Sequence, residues 1–104
     1  MIIHPPQIAE DKEELLVSAR VDFERQGLNV PEELWYRFPI EYIDYVSEGI
    51  DGFLVALLPS AMALGENITV EAPVSQRLAF GLRDYQNIQH AWWPDEFNMV
   101  DIEY

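Results

Sequence analysis

From Leu15 onward the chain alternates. Leu15, Val17, Ala19, Val21 and Phe23 fall on odd positions, and after Leu16 the even ones hold Ser18, Arg20, Asp22 and Glu24. A period of two predicts a half-buried strand. Asp11-Lys12-Glu13-Glu14 has good helical propensity, but a helix through this stretch would put Asp22 on the stripe of Leu15, so the strand is preferred. Upstream, His4-Pro5-Pro6 is a stiff, extended lead-in on a mobile terminus and cannot begin a helix. Downstream, Gly27 and Asn29 supply a turn and Pro31 restarts the chain.

Leu34-Trp-Tyr-Arg-Phe-Pro39 is short and rich in aromatics, which predicts a second strand. Pro39 cannot donate to a ladder, so a sheet edge suits it. Glu41 to Val46 fits another strand or a short helical turn equally well. Asp51 is a candidate helix N-cap, followed by Phe53 to Leu58 and then Ala61 to Leu64, apolar nearly all round, with Gly65 as the C-terminal cap. A helix with so little polar surface belongs in the core, and Pro59 within it predicts a kink or break.

Ile68 and Val70 face one way and Thr69 the other, a compact strand that Pro73 ends. Ser75 caps the next helix, in which Leu78, Leu82, Tyr85 and Trp92 form an amphipathic stripe with Gln89 between them. Pro94 stops that helix. The last residues alternate again from Phe97 to Tyr104, with Val100, Ile102 and Tyr104 on one side, and predict a final strand. That strand is still running at residue 104, which suits either a strand ending flush with the polypeptide or a domain cut from something longer. The expectation is one α+β domain over residues 1–104, with a small mixed or antiparallel sheet packed with two main helices, one of them buried.

Charge changes the picture more than composition does. Nineteen acids against six Lys and Arg give a net charge of -13, and the acids concentrate before Gly52, from Glu10 and Asp11 through Glu41, Asp44, Glu48 and Asp51. Such a surface repels phosphate backbones, so direct nucleic-acid binding is not expected. It suits a soluble surface or, alternatively, a free-standing acidic regulator or inhibitor that engages a basic protein, as a nucleic-acid mimic would. Hydrophobic residues at 49% argue against disorder. The longest apolar run, Phe53 to Leu58, is too short to span a bilayer, and the amino terminus lacks the pattern of a signal peptide, so a cytoplasmic setting is expected.

Chemistry-bearing motifs are few. Without cysteine there is no disulfide, thiolate nucleophile or zinc-thiolate site. Neither a nucleotide-binding glycine loop nor a nucleophile elbow surrounds Ser60 or Ser75. The pairs Asp95-Glu96 and Glu32-Glu33 lack the spaced oxygens of a calcium loop, and His90, beside two tryptophans near a helix end, has no accompanying nucleophile. The expectation is therefore no catalytic, cofactor-binding or metal-ligating residue in this chain. Trp92-Trp93-Pro94 with Phe97 is different. Adjacent tryptophans on a helix cannot both face one core, and exposed Trp is enriched at protein interfaces, so these four residues are the candidate partner surface.

The run from Asp51-Gly-Phe-Leu-Val-Ala-Leu-Leu-Pro-Ser-Ala-Met-Ala-Leu-Gly to Gln76-Arg77-Leu78, followed by Tyr85-Gln-Asn-Ile88 and Trp93-Pro94, with Leu34-Trp-Tyr-Arg-Phe-Pro39 upstream, resembles a known region. It is similar to the segment that precedes the ATP-pyrophosphatase domain in bacterial proteins related to 7-cyano-7-deazaguanine synthase. In that family the chemistry belongs to a later Ser-Gly-Gly-x-Asp-Ser phosphate loop, which these 104 residues do not contain. The resemblance thus implies a noncatalytic accessory domain that packs against an ATP-using enzyme domain or subunit, and no catalytic residue is transferred by it.

Overall fold

In the computed structural model, which describes residues 1–47 and 49–104, the alternating stretch is the spine of a mixed sheet. Glu48, counted among the acids of the first half, lies outside the described residues. Strand β3 (Glu14–Asp22) buries Leu15, Val17, Ala19 and Val21 almost completely and turns Arg20 and Asp22 to solvent, as the period of two predicts. On one side it pairs antiparallel with β4 (Glu33–Pro39), which has no other strand partner among the described residues and so lies at an edge. Pro39 stands at the last rung, opposite Glu14, where a missing donor costs no ladder bond.

The other side of β3 is shared by β1 (Ile2–Ile3) and β2 (Gln7–Asp11), both antiparallel to it. Ile3 faces Val21 and Gln7 faces Ser18, so four steps on one strand match three on the other. That extra residue makes His4-Pro5-Pro6 a bulge within a bent strand. The expected mobile terminus is therefore corrected: the His4 N–H donates to the Arg20 carbonyl at 2.9 Å and the stiff segment is part of the sheet. The Asp11–Glu14 stretch turns a hairpin, with Lys12 in the left-handed region at φ 61°.

Glu41 to Val46, open between strand and helical turn, contains most of a 3-10 helix, Ile40–Tyr45, packed against the ends of β3 and β4. Helix α1 (Asp51–Leu64) follows. Its N-cap is Ile50, not Asp51, which occupies the first helical turn and accepts a bond from the Ser75 N–H at 3.1 Å instead of capping its own helix. Pro59 does not break it; the helix is continuous for 14 residues. Gly65 ends it at φ 71°, and its N–H returns to the Ala61 carbonyl.

Strand β5 (Ile68–Val70) runs parallel to β1 with both aliphatic side chains buried, and β6 (Ile102–Glu103) runs parallel to β5. The Met1 ammonium is buried at this seam, donating to the Asn67 carbonyl at 2.8 Å and facing Glu66 at 3.3 Å. Helix α2 (Gln76–Trp92) is capped by Ser75, whose hydroxyl accepts from the Leu78 N–H. The final strand is shorter than the Phe97–Tyr104 alternation predicts. Its backbone donors are used elsewhere: Asn98 caps α1 at Met62, the Val100 N–H goes to the buried Gln86 side chain, and the Asp101 N–H goes to Asn67.

One core cluster joins Val17, Ala19 and Val21 of the sheet to Phe53, Leu54, Leu58 and Met62 of α1 and to Leu82 of α2. The molecule is only 22 Å across its shortest axis, about one sheet and one helix layer. This α+β arrangement, with a mixed sheet and two main helices of which α1 is the more buried, matches the fold class expected from the sequence.

Candidate functional site

Helix α2 positions the residues singled out as a partner surface. Leu82 and Gln86 face the core, with Leu78 and Tyr85 at its margin. Trp92, expected on the same stripe, is instead 70% exposed. Six residues at about 100° each set Trp92 roughly 120° around the helix from the core-facing Gln86, off the buried line. Trp93 is 44% exposed at the helix C-cap, where its N–H donates to the Gln89 carbonyl. Trp92 and Trp93 meet edge to face at 5.6 Å, and Trp93 meets Phe97 at 6.2 Å. Pro94 sits exposed in the turn between them.

The turn is held from behind. His90 Nδ1 lies 2.7 Å from the Phe97 carbonyl, a distance that makes it the donor and His90 a strut for the aromatic turn. Asp95 and Glu96 beside it are exposed. All four predicted residues are therefore gathered at the C-terminal end of α2, three of them as a ring-to-ring chain.

Two residues that the sequence reading missed extend this surface. Phe80 is 81% and Ile88 55% exposed. Together with Trp92 they occupy positions i, i+8 and i+12 of α2, one row of a helix stepped by four, with only Asp84 between them. The signal was present as that spacing, but the competing stripe through Leu78 and Leu82 had absorbed the helix's periodicity. The result is a ridge of large apolar side chains along α2, interrupted by the exposed Asp84 between Phe80 and Ile88 and ending in the tryptophan turn.

Two other constellations stand apart from the ridge. The opposite face of the sheet carries His4, whose Nδ1 lies 2.8 Å from Glu71 and whose Nε2 lies 2.7 Å from Asp22. With a carboxylate on each nitrogen, both must donate, which requires the imidazolium. The Asp22 hydrogen bond is the main cause that raises the His4 pKa above its usual value; desolvation opposes it, the Glu71 hydrogen bond and charge add to the rise, and the Asp22 bond also lowers the pKa of Asp22. The clip ties β1, β3 and the residue after β5 together. Second, an apolar cleft of about 600 Å³ opens between β4, the 3-10 helix and the start of α1. Among the described residues, no group of three or more His, Asp or Glu is gathered to hold a metal ion, and no helix is long and apolar enough to cross a membrane.

No protein-family profile, no curated protein and no solved structure matches this chain.

Proposed function

We propose that this domain is a noncatalytic partner-binding module that docks through the α2 ridge onto an ATP-pyrophosphatase-like enzyme domain. The observation that carries the docking is the row of Phe80, Ile88 and Trp92, large apolar side chains 55 to 81% exposed and continuous with the Trp93 turn. Large apolar side chains left exposed in this way mark contact sites, and tryptophan is among the residue types that most often dominate their energetics. The class of partner is supported by the resemblance of the Asp51–Leu78 run, Tyr85–Ile88 and Trp93-Pro94 to the segment preceding such enzymes.

The test is a calorimetric titration of the domain with a recombinant ATP-pyrophosphatase domain carrying the Ser-Gly-Gly-x-Asp-Ser loop. Trp92→Ala and Trp93→Ala each weaken binding by about 2 kcal/mol, roughly thirtyfold, with the thermal melt of the domain unchanged. Unaltered affinity in both folded variants removes the ridge from consideration, and lack of binding by the intact domain removes this class of partner. Salt separates the ridge from the acidic alternative. An apolar contact tolerates ionic strength, whereas an interface driven by the net charge of -13 weakens steeply with it.

A further inference from the structure

We infer that the cleft between β4, the 3-10 helix and α1 is a binding site for a small quaternary ammonium compound, recognised by an aromatic cage. Tyr36 forms the floor. Its ring stacks on Phe38 at 6.5 Å and meets Phe53 edge to face at 5.2 Å, and its hydroxyl donates to the Gly52 carbonyl at 3.3 Å. Tyr42 and Tyr45 form the outer wall. They are three residues apart in a 3-10 helix, where side chains at i and i+3 eclipse, so both stand on the same side. Their exposure, 49% and 85%, is high for tyrosines that line a cleft of about 600 Å³, a size in the range of small-molecule sites.

Charge selects the ligand. Four aromatic rings besides Phe53 line the cleft, and the negative face of an aromatic quadrupole attracts an organic cation without needing a hydrogen bond from it. Asp51 lines the cleft and is held there by the Ser75 N–H. The positive end of α1 also points here, but it is worth about half a charge and Asp51 supplies a whole one, so the sum favours a cation. No Lys or Arg is among the described lining residues. The nearest in sequence, Arg37, alternates to the other face of β4, where its guanidinium lies 5.0 Å over the Trp35 ring and pairs with Glu14. Glu41 and Asp44, neighbours of Tyr42 and Tyr45, are exposed and add to the negative potential.

The experiment titrates choline and its uncharged carbon isostere, 3,3-dimethyl-1-butanol, into the protein while following aromatic ring resonances by NMR. The expected result is millimolar binding of choline, roughly tenfold tighter than the isostere, with ring-current shifts of its N-methyl protons. Tyr42→Leu and Tyr45→Leu keep apolar volume and remove the quadrupole. Each is expected to weaken choline by about threefold or more and leave the isostere unchanged. Equal affinity for the two compounds, lack of shifts in the Tyr36 and Phe38 rings, or leucine variants that bind choline normally would each overturn the proposal. A trimethyllysine peptide that binds about tenfold tighter than choline overturns the small-molecule source in favour of a modified protein.

Discussion

The two helices lie on the same core and treat solvent in opposite ways. Helix α1 is the more apolar in sequence, yet it wastes little: Phe53, Leu54, Leu58 and Met62 are buried, and its outward positions are Gly52, Ala56, Ser60 and Ala63, with half-exposed Val55. Helix α2 is the more polar, yet its outward row carries Phe80, Ile88 and Trp92. The count of apolar residues thus says how deeply a helix is embedded. Their size on the outward face says how much apolar surface is left open to solvent.

That contrast is breakable by mutation. Leu54→Ala in α1, at a position with no solvent exposure, is expected to cost about 3 kcal/mol, seen as a fall in melting temperature of about 12 °C or more for a domain of this size. A loss under about 1 kcal/mol would mean that α1 is not the centre of the core. At the start of α2, Ser75→Ala removes the oxygen that receives the Leu78 N–H and is expected to cost about 1 kcal/mol in chemical denaturation. Phe80→Ala on the outward row is expected to change stability by less than about 0.5 kcal/mol, because the ring is already in water. A large loss there would place Phe80 in the fold and not in an interface.

The smallest effect belongs to His4. Its pKa is raised in the folded state, so its contribution is complete below its unfolded value near 6.5 and is lost as pH rises through the folded value. Asp22, lowered by the same bond, loses its share only as pH falls through its own folded pKa. Melting temperatures of the protein and of His4→Gln should therefore differ most in mildly acidic buffer and converge in alkaline buffer. The difference stays modest because both carboxylates lie near the surface. Parallel pH profiles for the two proteins would show that the clip carries no stability.

Local pattern carried much of the architecture. Alternation located β3 and β5, Ser75 and Gly65 marked helix ends that the structure keeps, and the two adjacent tryptophans marked the surface they occupy. Strand β2 was missed because an edge strand has little reason to alternate: Gln7, Ala9, Glu10 and Asp11 are exposed, and only Ile8 packs toward the core. Acidic residues on such an edge also discourage another chain from pairing with it. Phe80 and Ile88 were missed because one helix held two apolar rows and periodicity alone does not say which faces the sheet.

The sequence by itself determined the features set by neighbours within a turn or two: strand periodicity, the caps at Gly65 and Ser75, the stop at Pro94, and a net charge of -13. Tertiary structure decided everything that depends on which distant segment arrives alongside. It bent the first residues into the sheet, brought Glu71 and Asp22 onto His4, and took Asp51 from capping α1 to holding Ser75. It also placed Tyr42 and Tyr45 on the lining of the same cleft as Tyr36, and left the Phe80 row without a cover among the described residues. The physical reason is that propensity and capping energies are local, whereas burial and pairing are properties of contacts between residues far apart in the chain.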